Sequence, residues 1–410
     1  MPEPLPALRR GLDVFPSPDT SQPGLLLRDP FLYTERILLV PPPWVVGLRC
    51  LDGEHTEVDM QEALTRATGE LVFSDTIRAF VVTLREHGFL ETEEFRRLRD
   101  RKHAEFREAR ERLPVYAGEA YPASELEIRA TFQGYFDAAG GSGGLSPHCL
   151  GVAAPHVSPE GGRNCYAATY QALAALPSLA SRTFVILGTS HYGAPEKFGL
   201  TRKPFVTPLG TLAVDRELVD WLEQHGGEAV CMEDYCHAIE HSIEFQCVFL
   251  QYALGPKLRI VPILCGPFAE SLETGRAPES NPAVACFLAA LKGLADVQGD
   301  RLFWVLGIDL AHRGARYGDP FAAVAEQGEM MAAAGRDRER LDAFCDGDLT
   351  RFFELVRSNQ DELKWCGYAP LYTFAKAVPG ARGKLLRYEQ WNIDPQSVVS
   401  FAGLEFHSLG

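Results

Sequence analysis

The sequence has no apolar run of about 18 residues, so no segment is expected to span a membrane as a helix. It has no excess of basic charge. Its 40 Lys and Arg against 55 Asp and Glu give a formal net charge of −15, which argues against nucleic acid or an anionic membrane as partner. It has no CxxC pair. The ten Cys stand singly, with Cys231 and Cys236 five apart. In a chain this long that pattern suits reduced cytosolic thiols, one or two of them chemically engaged, and a cytoplasmic location. No repeat of 20–50 residues is present. The N-terminus "MPEPLPALRRGLDVFPSPDTSQPG" is Pro-rich and has no apolar core, so residues 1–24 are expected to be a disordered lead-in and not a signal peptide.

At 410 residues the chain is long enough for two domains. Residues 25–95 have a logic of their own. "RILLVPPPWVVGL" holds two short β-type runs broken by prolines. In "LDGEHTEVDMQEAL", Thr56 is placed to cap a helix with acidic residues in its first turn. In "SDTIRAFVVTLREHGFL", Ser74 can cap, Ile77, Phe80, Val81 and Leu84 share a face, and Gly88 stops the helix. Together these suggest a small winged-helix-like α+β domain. The stretches "LRDPF", "CLDGEHTEVDMQEAL" and "LREHGFLET" resemble PqqD-like peptide-recognition modules. A structural or oligomerisation role fits the same residues. Acidic residues outnumber basic ones here too, so no DNA-binding face is expected. The charge-rich run 93–113 predicts a solvated helix, with residues 96–113 as the connector and the joint at Pro114. "GGSGG", 140–144, punctuates the larger domain, 114–410.

Beyond residue 148, apolar strand-like runs alternate with helical ones. "CLGVAAP", "RTFVILGTSH", "RIVPILCGPF" and "RLFWVLGIDLAH" alternate with "NCYAATYQALAAL", "HSIEFQCVFLQYAL" and "PAVACFLAALKGLAD". This predicts an α/β domain with a mostly parallel central sheet and helices on both faces. Three of the strands end on polar groups: His156, then Ser190 and His191, then Asp309 and His312. Ligands in such sheets bind outside the carboxyl ends of the strands, so three equivalent ends mark a shared site. "IEHSIEFQ" adds His241, and Glu244 fits either a helix cap or a site role. In "LKWCGYAPLYTF", Cys366 opens a helix, a position that favours the thiolate.

"YAGEAYPA", "APHVSP", "LGTSHYG", "PLGTLAVD", "EHSIE", "GIDLAH" and "WCGYAP" occur in an order and spacing that resemble the Memo-like proteins, among them the AmmeMemoRadiSam system protein B group. The resemblance implies the fold of the class III extradiol dioxygenases and a metal held by His156, His191 and Cys366. Asp309, His312 and His241 would line the same pocket as acid–base or orienting groups, with Ser190, Tyr192 and Glu244 around them. It also implies a radical-SAM protein as partner. The chain departs from the family pattern at Tyr116 and Tyr192, where His is expected, and at Phe245 and Gln246.

Two imidazoles and a thiolate leave an open coordination position and suit iron(II), with copper or zinc as alternatives. The expected function is a non-haem metal protein, redox or oxygen-using, acting on a small molecule or peptide. The alternative is a non-catalytic metal-binding or peptide-binding protein, with an oligomer open in either case. No GxSxG elbow accompanies Ser190, which disfavours a hydrolase.

Overall fold

The computed structural model describes residues 3–17, 19, 21–140, 144–146 and 148–408. The chain forms two units, Met1–Glu108 and Ala109–Gly410. The expected flexible punctuation at Gly140–Gly144 falls mostly outside the described residues.

The first unit opens with β1 (Asp13–Pro16), β2 (Leu25–Arg28) and β3 (Ile37–Val40), an antiparallel sheet with β2 in the centre. Helices α1 (Pro42–Leu48), α2 (Glu57–Thr68), α3 (Ser74–Glu86) and α4 (Glu93–Glu108) follow. Thr56 and Asp59 close a reciprocal capping box on α2. Ser74, expected as a cap, is the first residue of α3 and caps nothing. Ile77, Val81 and Leu84 pack with Leu27, Val40, Met60 and Leu64 into the core of this unit. Gly88, at φ 73°, takes the left-handed turn that ends α3.

Two expectations are corrected here. The described residues among 1–24 are not a disordered lead-in. β1 pairs with β2, and Arg9, 4% exposed, forms a buried ion pair with Asp29. The Pro-rich composition hid a partner 20 residues away. The charged connector also ends earlier than residue 113. α4 stops at Glu108, and Arg112 is buried in the second unit at 1% exposure.

The second unit comprises, in chain order, α5 (Glu125–Ala139), β4 (Cys149–Ala154), α6 (Arg163–Ala174), β5 (Thr183–Thr189), β6 (Phe198–Leu200), β7 (Phe205–Thr207) and β8 (Gly210–Val214). Then come α7 (Arg216–His225), β9 (Val230–Met232), α8 (Cys236–Ile239), α9 (Glu244–Leu254), β10 (Arg259–Cys265), α10 (Ala269–Thr274), α11 (Pro282–Gln298), β11 (Leu302–Gly307) and β12 (His312–Gly314). The chain finishes with α12 (Glu329–Cys345), α13 (Leu349–Arg357), α14 (Tyr368–Ala377), β13 (Ala381–Asp394) and β14 (Ser397–Ser408).

The main sheet runs β12-β14-β4-β11-β5-β10-β6-β9, with β13 on β14 and β8 on β10. Its centre, β4-β11-β5-β10, is parallel. β14 and β6 join antiparallel on either side, so the sheet as a whole is mixed. Alternate residues of β5 separate onto two faces. Val185 and Leu187 meet α11 and α14 residues, while Phe184 and Ile186 meet α6 and α9 residues. Burial on both faces is why the central strands are near-continuous apolar runs. No described helix is long and apolar enough to cross a membrane.

Candidate metal centre

β4, β11 and β5 are neighbours and parallel, so their carboxyl ends open at one edge. His156 follows β4 by two residues, Asp309 follows β11 by two, and His191 follows β5 by two. The adjacency of the strands thus brings together side chains up to 153 residues apart. The loop before α9 crosses the same edge. It can do so because Gly307 and Gly188 leave space: a Cβ on either would strike Ser242. Gly367 performs the same service for the Cys366 loop, whose backbone N–H donates to the Asp309 carbonyl (3.0 Å).

The ligand nitrogens of His156, His191 and His241 lie within 4.8 Å of one another, as a metal site requires. The rings of His191 and His241 stack at 4.9 Å, and both meet His156 edge to face, at 5.0 and 5.3 Å. Cys366 Sγ is 3.2 Å from His156 Nε2. His156 and Asp309 form a buried floor, with side chains 2% and 3% exposed. His191 and His241, at 27% and 23%, open to solvent.

Three of the imidazoles are anchored by a hydrogen bond at Nδ1. His156 Nδ1 donates to the Gly307 carbonyl (3.0 Å), and His312 Nδ1 to the Leu310 and Lys364 carbonyls (2.9 and 3.1 Å). His191 Nδ1 donates to Glu240 (3.0 Å), and His241 Nδ1 lies 3.1 Å from the same carboxylate. A carbonyl only accepts, so Nδ1 carries the proton and Nε2 is left for the site.

The electrostatics follow from burial opposed by close charge. Burial alone would lower His156, but Asp309 and Cys366 overcome it and push it up to about 9. Burial would raise the Cys366 thiol, yet His156 and His312 hold it well below its usual value. Burial raises Asp309 against the pull of His156. Burial lowers His312 but Cys366 reverses this, leaving it raised. Glu240 has one charge to share between two imidazoles. Burial opposes both, and the carboxylate keeps His191 well above its ordinary value, whereas His241 falls to about 3. Glu240 itself is held below the carboxylate range, the His191 charge and hydrogen bond overcoming its burial.

The family model described as Memo-like protein matches residues 112–405. The chain belongs to the Memo-like family. A MEMO1 family protein of Aquifex aeolicus is 25% identical over 385 residues, covering 93% of this chain and 94% of its own length. A MEMO1 family protein of Methanopyrus kandleri is 38% identical over 311 residues, covering 72% of this chain and 99% of its own. A Methanosarcina acetivorans relative, 29% identical, covers 72% and 98%. The archaeal Memo-like chains therefore align over nearly their whole length with less than three quarters of this one.

Of the residues singled out in the sequence, His156, His191, His241, His312, Asp309 and Cys366 gather at this edge. Ser190 is buried beside them, its N–H donating to Cys265 O, and the Tyr192 ring sits 6.2 Å from His191. Glu244 is elsewhere. It is neither cap nor pocket group but the centre of a buried clamp, accepting from Arg112, Tyr121 and the N–H groups of Val115 and Tyr116. The clamp sets Tyr116 against His241, ring centroids 5.5 Å apart. The carboxylate that sequence reasoning missed is Glu240, four positions earlier. Its signal was present: ligating histidines are oriented by carboxylates, and Glu240 directly precedes one.

A second missed network supports Cys366. Asp337 on α12 accepts from Trp365 Nε1, Tyr388 and Ser400. Arg340, one turn on, pairs with Asp361, which also accepts the Trp365 N–H. The loop they hold is unusual, with Asn359, Gln360, Asp361 and Lys364 all at φ between 51° and 56°. Non-glycine residues hold that conformation only where surrounding contacts enforce it.

Proposed function

We propose that this chain holds one transition-metal ion through His156, His191 and Cys366, with His241 beside them as a further nitrogen donor, and acts as a non-haem redox protein on a small molecule or peptide. The observation that carries this reading is the clustering of the His156, His191 and His241 nitrogens within 4.8 Å of one another, with the Cys366 sulfur 3.2 Å from His156 Nε2. A purely structural histidine cluster has no need to hold three rings by Nδ1 and leave each Nε2 for the site. Imidazole with thiolate is a borderline-soft donor set suited to iron(II), zinc or copper, and iron(II) is the ion expected. When bound, such an ion supplies redox or Lewis-acid chemistry at the open edge.

The protein's own groups have separable tasks. Glu240 fixes His191 and His241. Asp309 accepts from the His156 N–H (3.0 Å) and faces its ring, fixing the floor. His312 has one ring nitrogen left over near the sulfur and can take or give a proton at the site's edge. Tyr116, Tyr192 and Tyr317 each lie against a different imidazole and give the mouth an aromatic rim. A carrier without catalysis is the second reading, favoured by the solvent-open ring of His191, through which an ion could exchange.

Cobalt(II) titration tests the binding reading. A thiolate-to-cobalt absorption band is expected in the native chain, lost in Cys366→Ala and weakened in His156→Ala. A native chain that binds cobalt with no such band removes Cys366 from the site. Oxygen uptake by the iron-loaded chain with candidate catechols or thiols separates enzyme from carrier.

A further inference from the structure

A second cavity lies at the far end of α14 from Cys366. It has a volume of about 310 Å³, within the range of small-molecule sites. Its lining comes from the last turn of α14, the segment Val378–Gly383, α11, the end of α12 with Gly347 and Leu349 after it, and the end of β14. At about 1.5 Å per residue, the ten residues of α14 separate it from the metal-site end by about 15 Å.

The apolar part is aromatic. Phe374 stacks on Phe406 at 4.4 Å, and Phe344 meets Phe406 edge to face at 5.9 Å. All three are buried. The polar part is of one sign. Lys292, Lys376 and Arg382 line the cavity from three different segments, and no Asp or Glu lines it. Arg382 lies across Gly347 because that residue has no side chain, and a Cβ there would collide with the guanidinium. Its Nη1 donates to the Gly380 and Ala381 carbonyls, which holds the arginine at the cavity wall. Lys292 pairs with Asp296 and Lys376 with Glu279, both carboxylates standing outside the lining. Such part-exposed pairs are weak, and an ammonium has three donors to share.

We propose that this cavity binds a small amphipathic anion, a hydrocarbon or aromatic body ending in one carboxylate. The phenylalanines would take the body, and the three cations the carboxylate. An amphipathic cation would meet three like charges, and a neutral alcohol would bring them no negative charge beyond that of Asp296 and Glu279. Nothing in this inference depends on a metal at the other end of α14.

The test is calorimetric titration of the full chain with octanoate, octanol and octylamine. Saturable octanoate binding is expected with Kd at or below ~1 mM, with octanol weaker and octylamine absent. Lys292→Met with Arg382→Met keeps the apolar stems and should weaken octanoate at least about tenfold, toward octanol. Ala375→Phe fills the cavity from α14 without touching a charge and should abolish binding. Melting curves of each variant verify folding, and the cobalt spectrum should stay native in all of them. Octanoate that fails to saturate by ~1 mM, octylamine binding as well as octanoate, or a folded Ala375→Phe chain that binds octanoate normally would each overturn the proposal.

Discussion

Replacing Glu240 with Gln should cost metal affinity more than any other substitution outside the donor set. The carboxylate is 2% exposed and accepts the His191 N–H (2.9 Å), the His191 ring (3.0 Å), the His241 N–H (2.9 Å) and the Ser242 N–H (3.2 Å). A carboxylate has lone pairs for all four donors. A glutamine has one acceptor oxygen, and its NH₂ turns a donor toward donors. At least two of the four N–H groups then lose their partner, at about 1–3 kcal/mol each if they stay buried. Removing a carboxylate that orients a ligating histidine commonly weakens metal binding 10–100-fold, about 1.4–2.8 kcal/mol. The assay is cobalt(II) titration against a competing chelator, with the folded fraction fixed by circular dichroism. Glu244→Gln is the control, since it also removes a buried carboxylate but one that faces Arg112. Glu240→Gln should lose affinity in that range while keeping the thiolate band, and Glu244→Gln should lose mainly stability. A folded Glu240→Gln chain with less than about threefold weaker binding would refute the claim that this residue orients the site.

Other expectations follow from the same structure. Arg112→Met should destabilise the second unit by about 3–5 kcal/mol in urea unfolding, because it leaves Glu244 buried without its counter-charge. Arg9→Ala should destabilise the first unit on the same scale by stranding Asp29, 1% exposed; an unchanged unfolding curve would restore the disordered lead-in. His156 rises from 6.5 to about 9 on folding, so in the metal-free chain its charge stabilises fully below 6.5 and that gain is lost as pH rises through about 9. Metal must displace that proton, so cobalt affinity measured across the same window should climb with pH and level off above about 9. Glu240 has the opposite sign. Its folded value is depressed from 4.5, so its contribution is present above 4.5 and falls away as the solution is acidified further.

What the sequence disclosed depended on how local each signal was. β4, β5, β10 and β11 are buried on both faces, so their apolar runs stand out, and the polar residues that end three of them mark the site edge. β13 and β14 gave no such signal. β13, "ARGKLLRYEQWNID", is half-buried almost throughout and carries charges along its length, so neither alternation nor an apolar run announces it. "EHSIE" shows the limit most clearly. Both its glutamates are buried, but Glu240 faces the histidines and Glu244 faces Arg112, 132 residues away. Which one turns inward is set by the loop before α9 crossing Gly188 and Gly307, a contact between distant segments. Arg112 was equally illegible: within "REARERL" it looks like any solvated arginine.

The central claim is that His156, His191 and Cys366 hold a resident metal ion. Its most direct test is the metal content of the anaerobically purified chain by mass spectrometry, set beside His156→Ala and Cys366→Ala prepared identically and shown to be folded. Near-stoichiometric iron in the native chain, lost from both variants, is the result predicted here. Metal content unchanged in both variants would contradict it.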